Sequence, residues 1–213
     1  MKRRLSNLSS IFIIVICAIF MYRHSEASVF ADTYIAHEDE KVSYGNNIVC
    51  QIDGNIDSKY ADMVEAELNW IPSSLRSKFV ESGWHIYVTD ENLARNYYGD
   101  SKAKIYGSTF YTKDLILMSD SELAIKAATI HEFGHWLDDY LGYASSSRDF
   151  TAIHSSEKIS FLRMINWSYN VDTASEYFAQ AFNYYIKYPA CLKKAAPQTY
   201  AYIDYYVQAV MQQ

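Results

Sequence analysis

The chain has 213 residues, 50% of them hydrophobic and 21% charged, with only 7 Gly and 3 Pro. That composition suits one compact domain with a proper core and argues against disorder or a linker-rich array. The formal net charge is −6 and no Lys/Arg block follows the N-terminus, which disfavours a nucleic-acid partner, because phosphate binding needs a basic footprint.

The first thirty-odd residues read as an export signal, residues 1–31. Lys2, Arg3 and Arg4 form a basic start, Ile11 to Met21 an apolar run, and Val29 and Ala31 satisfy the small-residue rule for a cleavage site. Cleavage implies a secreted protein with no stable membrane partner. The alternative is an uncleaved segment that tethers the chain to a membrane, although the apolar run is short for a spanning helix. Cys17 lacks the small preceding residues of an acylation site. After cleavage Cys50 and Cys191 remain, and they are either a disulfide or two free thiols.

The mature chain, 32–213, reads as one α+β domain. Residues 32–55 are polar and irregular, an extended lead-in whose run Ile48-Val49-Cys50 suits an edge strand. From Asp57, apolar residues Tyr60, Met63, Val64 and Leu68 recur at helical spacing, and Pro72 opens a second helix that Gly83 closes. Trp84 to Thr89 alternate as a strand, and a single histidine there, His85, reads as packed rather than ligating. Asp90 is expected to cap a brief helix through Tyr97. Ile105 to Tyr111 and Leu115 to Met118 form a strand pair joined by a turn at 112–114. Ser119-Asp120-Ser121-Glu122 is a capping-box pattern that starts the next helix, with Leu123, Ala127, Ile130, Leu137 and Leu141 on its buried side and Gly142 at its end. A mobile Ser-rich loop is expected over Tyr143 to Arg148, then a helix from about His154 to Ile165. Another helix is capped by Asp172 or Thr173 and ends before Pro189. A last amphipathic helix carries Tyr200, Ile203, Tyr206 and Val210.

The fourth of these helices contains His131-Glu132-Phe133-Gly134-His135. Residues four apart lie one helical turn above each other, so both imidazoles point the same way and supply half of a tetrahedral zinc site. Glu132 between them is then within reach of a metal-activated water as general base. Catalytic zinc needs a third protein ligand and an open position. A further Gly at 138 and His at 141 would complete one known extension of the pattern, but the chain has Asp138 and Leu141. His154 follows the Ser-rich loop with no motif around it. Glu176, in the first turn of a strong helix 41 positions beyond His135, is the better source of a third ligand. Asp138 and Asp139 are either exposed acids or partners that orient a histidine. Tyr169, seven residues before Glu176, offers a phenol to the oxyanion of a tetrahedral intermediate.

His131-Glu132-Phe133-Gly134-His135, Tyr169 and Ser175-Glu176-Tyr177-Phe178-Ala179-Gln180-Ala181-Phe182 together resemble the catalytic domain of anthrax lethal factor and its smaller secreted relatives, the Pro-Pro endopeptidases. The resemblance spans about Asp57 to the C-terminus. It implies a zincin-like fold, a small sheet packed on an active-site helix with a mainly helical C-terminal half. It implies one zinc ion held by His131, His135 and Glu176, with Glu132 as general base and Tyr169 stabilising the oxyanion. The activity implied is a secreted zinc endopeptidase acting on extended protein or peptide substrates, with a preference for proline around the cut. Such a substrate would pair with an edge strand near Ile105 to Met118, with Tyr106, Phe110 or Tyr111 against proline rings. Lethal factor is far larger, so a toxin role inside host cells is not implied. The rival readings are a secreted zinc-containing binding or adhesion module without turnover, and a zinc hydrolase of small molecules or cell-wall crosslinks.

Overall fold

The computed structural model describes residues 50–52, 56–100, 102–166 and 168–212. The expected export segment, Cys17 and the lead-in up to Val49 lie outside the described residues. In chain order the elements are β1 (Cys50–Ile52), α1 (Lys59–Leu68), α2 (Ser73–Glu81), β2 (His85–Thr89), α3 (Leu93–Tyr98), β3 (Gly107–Phe110) and β4 (Leu115–Ser119). They continue with α4 (Glu122–Tyr140), a 3-10 turn (Ala144–Ser146), α5 (Arg148–Met164), α6 (Ala174–Lys187), α7 (Pro189–Ala195) and α8 (Pro197–Met211). Among the described residues no helix is long and apolar enough to cross a membrane.

The sheet has the order β1-β2-β4-β3. β1, β2 and β4 run parallel, and β3 is antiparallel to β4 with Gly107 opposite Met118 and Thr109 opposite Ile116. Alternation along the strands divides the core into two. Ile86, Val88, Ile116 and Met118 face α1, α2 and α4 in the main cluster, whereas Leu117 faces the other way and joins Leu93, Ala94 and Ile105 under α3. The main cluster is tied across elements by aromatic contacts. Phe79 of α2 stacks on Phe133 of α4 with centroids 5.1 Å apart, and Phe133 stacks on Phe182 of α6 at 6.1 Å.

Helix α4 is enclosed by the sheet, α1 and α6, so it lacks a solvent face along His131 to Asp138, all of which are buried. An amphipathic stripe is therefore a poor guide to it. Leu123, expected on its buried side, is 64% exposed in the first turn. Its cap is Ser121, whose side chain accepts from Ala124 N, while Ser119 ends β4 and donates its hydroxyl to Ile105 O. Asn92 rather than Asp90 caps α3. His85 is exposed at the start of β2 instead of packed. The Ser-rich stretch is ordered: Ser145 is buried in the 3-10 turn, and α5 begins at Arg148, six residues before the expected start. Its serines are not spacers, because Ser145 bonds Asp138 and Ser147 caps α5 by accepting from Phe150 N. Helix α7 was not expected; Pro189 starts it at a favoured first position. Cys50 is buried and Cys191 exposed, and the two do not form a disulfide.

Helix α8 has no side-chain cap of its own. Glu157, buried in α5, supplies one from a neighbouring helix: its carboxylate accepts from Gln198 N (2.9 Å), Thr199 N (2.8 Å) and Thr199 Oγ1 (2.8 Å). Hydrogen bonds to a charged acceptor at a helix N-terminus each contribute more than neutral ones. Glu157→Ala is expected to cost about 2–4 kcal/mol, read as a fall of roughly 5–15 °C in melting temperature. Glu157→Gln should lose less, since it keeps an acceptor.

Glu65 of α1 is buried to 8% exposure. Burial pushes its carboxyl up to about 7 from an ordinary 4.5, with Arg76 opposing and the charge of Asp62 adding. As pH rises from 4.5 towards 7, the unfolded chain releases this proton while the folded chain keeps it. Stability from this group is thus fully present below pH 4.5 and is lost as pH rises through about 7. Glu65→Gln is expected to gain about 1–2 kcal/mol at pH 8 and nothing at pH 4, measured by urea unfolding at both values.

Candidate metal centre

Within α4 the four-residue spacing brings the rings of His131 and His135 to 4.9 Å between centroids, with their Nε2 atoms 3.2 Å apart. Helix α6 starts at the Thr173 cap, whose Oγ1 accepts from Glu176 N at 3.2 Å. That fixes Glu176 in the first turn, with its carboxylate oxygens 3.4 Å from His131 Nε2 and 3.9 Å from His135 Nε2. All three side chains are buried, and their ligating atoms lie within 4.8 Å of one another. Zinc held tetrahedrally at about 2.0–2.1 Å keeps its ligands roughly 3.3 Å apart. The donor set and its spacing therefore fit such an ion.

The approach of α6 to α4 depends on Gly134. A Cβ there would meet the Ala179 Cα at 2.9 Å, the Ala179 carbonyl oxygen at 3.0 Å and the Phe182 Cβ at 3.3 Å. The glycine inside the motif thus sets how near Glu176 comes to the two histidines.

The outer nitrogens are held as well. Gln180 Oε1, which can only accept, lies 2.9 Å from His131 Nδ1, so that nitrogen carries the proton and Nε2 presents its lone pair. Ser175 Oγ lies 3.3 Å from His135 Nδ1 and donates to Asp138 Oδ2 at 3.4 Å. Asp138 is itself fixed by Ser145, which donates its N–H at 2.7 Å and its hydroxyl at 2.5 Å. Of the two acids after the motif, Asp138 orients a histidine, through Ser175. Asp139 faces Tyr143, whose phenol is pushed up to about 12 by burial and then by this carboxylate. Burial pushes His135 down to about 3, Glu176 opposing. Burial also pulls on His131, but the hydrogen bond and charge of Glu176, with Glu132 and Gln180, outweigh it and leave His131 raised. Two imidazoles and a carboxylate around one point favour a positive charge between them.

Glu132 is fully buried and braced against the sheet. Its Oε2 accepts from Thr109 Oγ1 at 2.7 Å, and its Cγ lies where a Cβ on Gly107 would come within 2.8 Å. Tyr169 is half-buried in the segment between α5 and α6. Its phenol is raised by burial first and then by Tyr184, Tyr106 and Tyr188, and the side chain packs against the main cluster. His154 is not part of the centre: its Nε2 bonds Val171 O at 2.9 Å and its ring packs on Tyr177. Phe110 is on the far face of the sheet, in contact with Tyr97, whereas Tyr106 and Tyr111 pack against the main cluster. Sequence reasoning missed Thr109 and Gly107 and gave no role to Ser175 and Gln180, although both lie in the run that carries the resemblance. Gln180 had a further readable signal, since it stands one turn beyond Glu176 on the same helix.

Residues 34–206 match the family model described as "Anthrax toxin lethal factor, N- and C-terminal domain". The chain belongs to this family. A solved structure similar to it is the Pro-Pro endopeptidase (PPEP-2) from Paenibacillus alvei, at 19% sequence identity and a TM-score of 0.57, covering 73% of this chain and 96% of that one. At that identity the likeness is one of fold, and it agrees with the α+β, zincin-like architecture expected from the family's motifs. No curated protein matches the chain.

Proposed function

We propose that this protein is a secreted zinc-dependent endopeptidase that cuts extended peptide segments. The observation that carries the reading is the convergence of His131 Nε2, His135 Nε2 and the Glu176 carboxylate, with the fully buried Glu132 next to His131 in the helix. One zinc ion held by these three side chains would supply Lewis acidity, polarising a scissile carbonyl and acidifying water. Glu132 accepts the proton of the attacking water on its carboxylate and returns it to the leaving amine. Tyr169 donates its phenolic hydrogen to the developing oxyanion. Gln180 and Ser175 keep the protons of the two imidazoles on their outer nitrogens, which maintains both Nε2 atoms as ligands.

Among the described residues strand β3 stands at the sheet edge, bonded to Glu132 through Thr109, and offers backbone groups on which an extended substrate can add as a further strand. The name of the Paenibacillus alvei enzyme supports a proline preference. Tyr106 and Tyr111 are better placed than Phe110 to meet the substrate, since they lie on the main-core side. Export rests on the basic and apolar N-terminal segment, with residues 32–213 as the mature domain. The test is incubation with a randomised peptide library, with and without a chelator, read by mass spectrometry. Chelator-sensitive cleavage with proline enriched around the cut is expected. No cleavage overturns the endopeptidase reading, and cleavage without proline enrichment overturns the preference alone.

A further inference from the structure

We propose that Thr109 is the positioning residue that locks the general base to the substrate-holding edge strand. The inference rests on the endopeptidase reading. Strand β3 alternates: Ser108 and Phe110 face α3, where they meet Tyr98 and Tyr97, while Gly107 and Thr109 face α4. Thr109 is 3% exposed, and its hydroxyl donates to Glu132 Oε2 at 2.7 Å. A hydroxyl hydrogen bond to a buried carboxylate is strong and directional.

Two residues before it, on the same face, Gly107 leaves room for the Glu132 side chain. A Cβ at Gly107 would come within 2.8 Å of Glu132 Cγ, 3.1 Å of Glu132 Oε1 and 3.0 Å of Met118 Sδ. The strand thus clasps the base from two sides, with a bond at Thr109 and a gap at Gly107. The same strand is antiparallel to β4 in fixed register and, among the described residues, ends the sheet on that side. A peptide added to its outer edge takes its register from β3, and the base takes its orientation from β3 too. The distance between scissile carbonyl and base is thereby set by one element rather than by two that move independently, as near-attack geometry requires.

The test is steady-state kinetics on a peptide cut by the wild type, with metal affinity measured in parallel by competition with a chromogenic chelator. Thr109→Val keeps the shape and removes the hydroxyl. It is expected to lower kcat about 10- to 100-fold, with KM and metal affinity unchanged. Thr109→Ser should recover most of the loss. Gly107→Ala should lower kcat with Thr109 intact. Wild-type kcat in Thr109→Val overturns the inference, as does a loss that appears in KM or metal affinity, or that Thr109→Ser fails to recover. A wild type that cleaves nothing in a chelator-sensitive way overturns instead the endopeptidase reading.

Discussion

Glu132→Ala is expected to abolish peptide cleavage while the protein still folds and still binds its metal. Glu132 does not belong to the convergent His131, His135 and Glu176 set, so truncating it leaves the three ligating atoms in place. What disappears is the carboxylate that takes and returns the proton, and removal of such a group lowers rates by about 10²- to 10⁴-fold. Glu132→Gln is the useful companion. It preserves volume under Gly107 and still offers Thr109 an acceptor, so it separates loss of the base from the cavity and the orphaned hydroxyl that alanine leaves. Both variants should be assayed for kcat/KM and for bound metal per chain. Activity in Glu132→Gln close to wild type would sink the assignment of the base. Loss of metal in both would mean that Glu132 supports the site rather than the chemistry. The same pair bears on the rival of a zinc-containing adhesion module, for which neither substitution should alter function.

The second large effect is expected at Gly134→Ala. Judged by helix propensity alone the change is favourable by about 1 kcal/mol, since alanine is the best helix former and glycine one of the worst. The tertiary contact predicts the opposite. The new methyl would stand 2.9 Å from the Ala179 Cα and 3.0 Å from its carbonyl oxygen, both backbone atoms of α6. No side chain can rotate out of the way, so α6 itself must move, at a cost of about 1–3 kcal/mol or more for overpacking. Glu176 rides on that helix three residues before Ala179 and is displaced with it. Metal affinity should fall at least about tenfold, and the melting temperature should drop despite the better helix propensity. A chelator competition and a thermal melt measure both quantities. A higher melting temperature with unaltered affinity would refute the close-approach argument.

Several features are legible in the chain because they are local. The i, i+4 placement of His131 and His135 follows from helical geometry once the segment is recognised as a helix. Thr173 caps α6 as expected of a threonine before a helical run, and the cap places Glu176 in the first turn. The strand pair before α4 and the helix stop at Gly142, which takes a positive φ of 69°, are likewise local matters of alternation and turn chemistry. Some departures are local as well, such as Asn92 rather than Asp90 capping α3, and others follow from how the segments pack. The Ser-rich stretch 143–148 has loop composition, yet Ser145 is drawn inward because Asp138 needs donors for a buried carboxylate. Leu123 looks like part of a buried stripe, but Ala124 and Ile125 take the inward side of the first turn of α4, both fully buried, and leave Leu123 on the solvent side.

By itself, then, the sequence determined which residues are candidates for the site: two histidines one turn apart, an acid beside the first, and a short list of acids and phenols for the remaining roles. Those are statements about spacing along one helix, and a helix has one geometry. Only the tertiary structure decided among the candidates. It turned His154 to a backbone carbonyl, brought Glu176 to the histidines through the gap at Gly134, and linked Asp138 rather than Asp139 to His135. It also set Thr109 against Glu132 across 23 residues of chain. Such contacts depend on sheet register and on the distance between packed helices, and neither is encoded in the local pattern of any single segment.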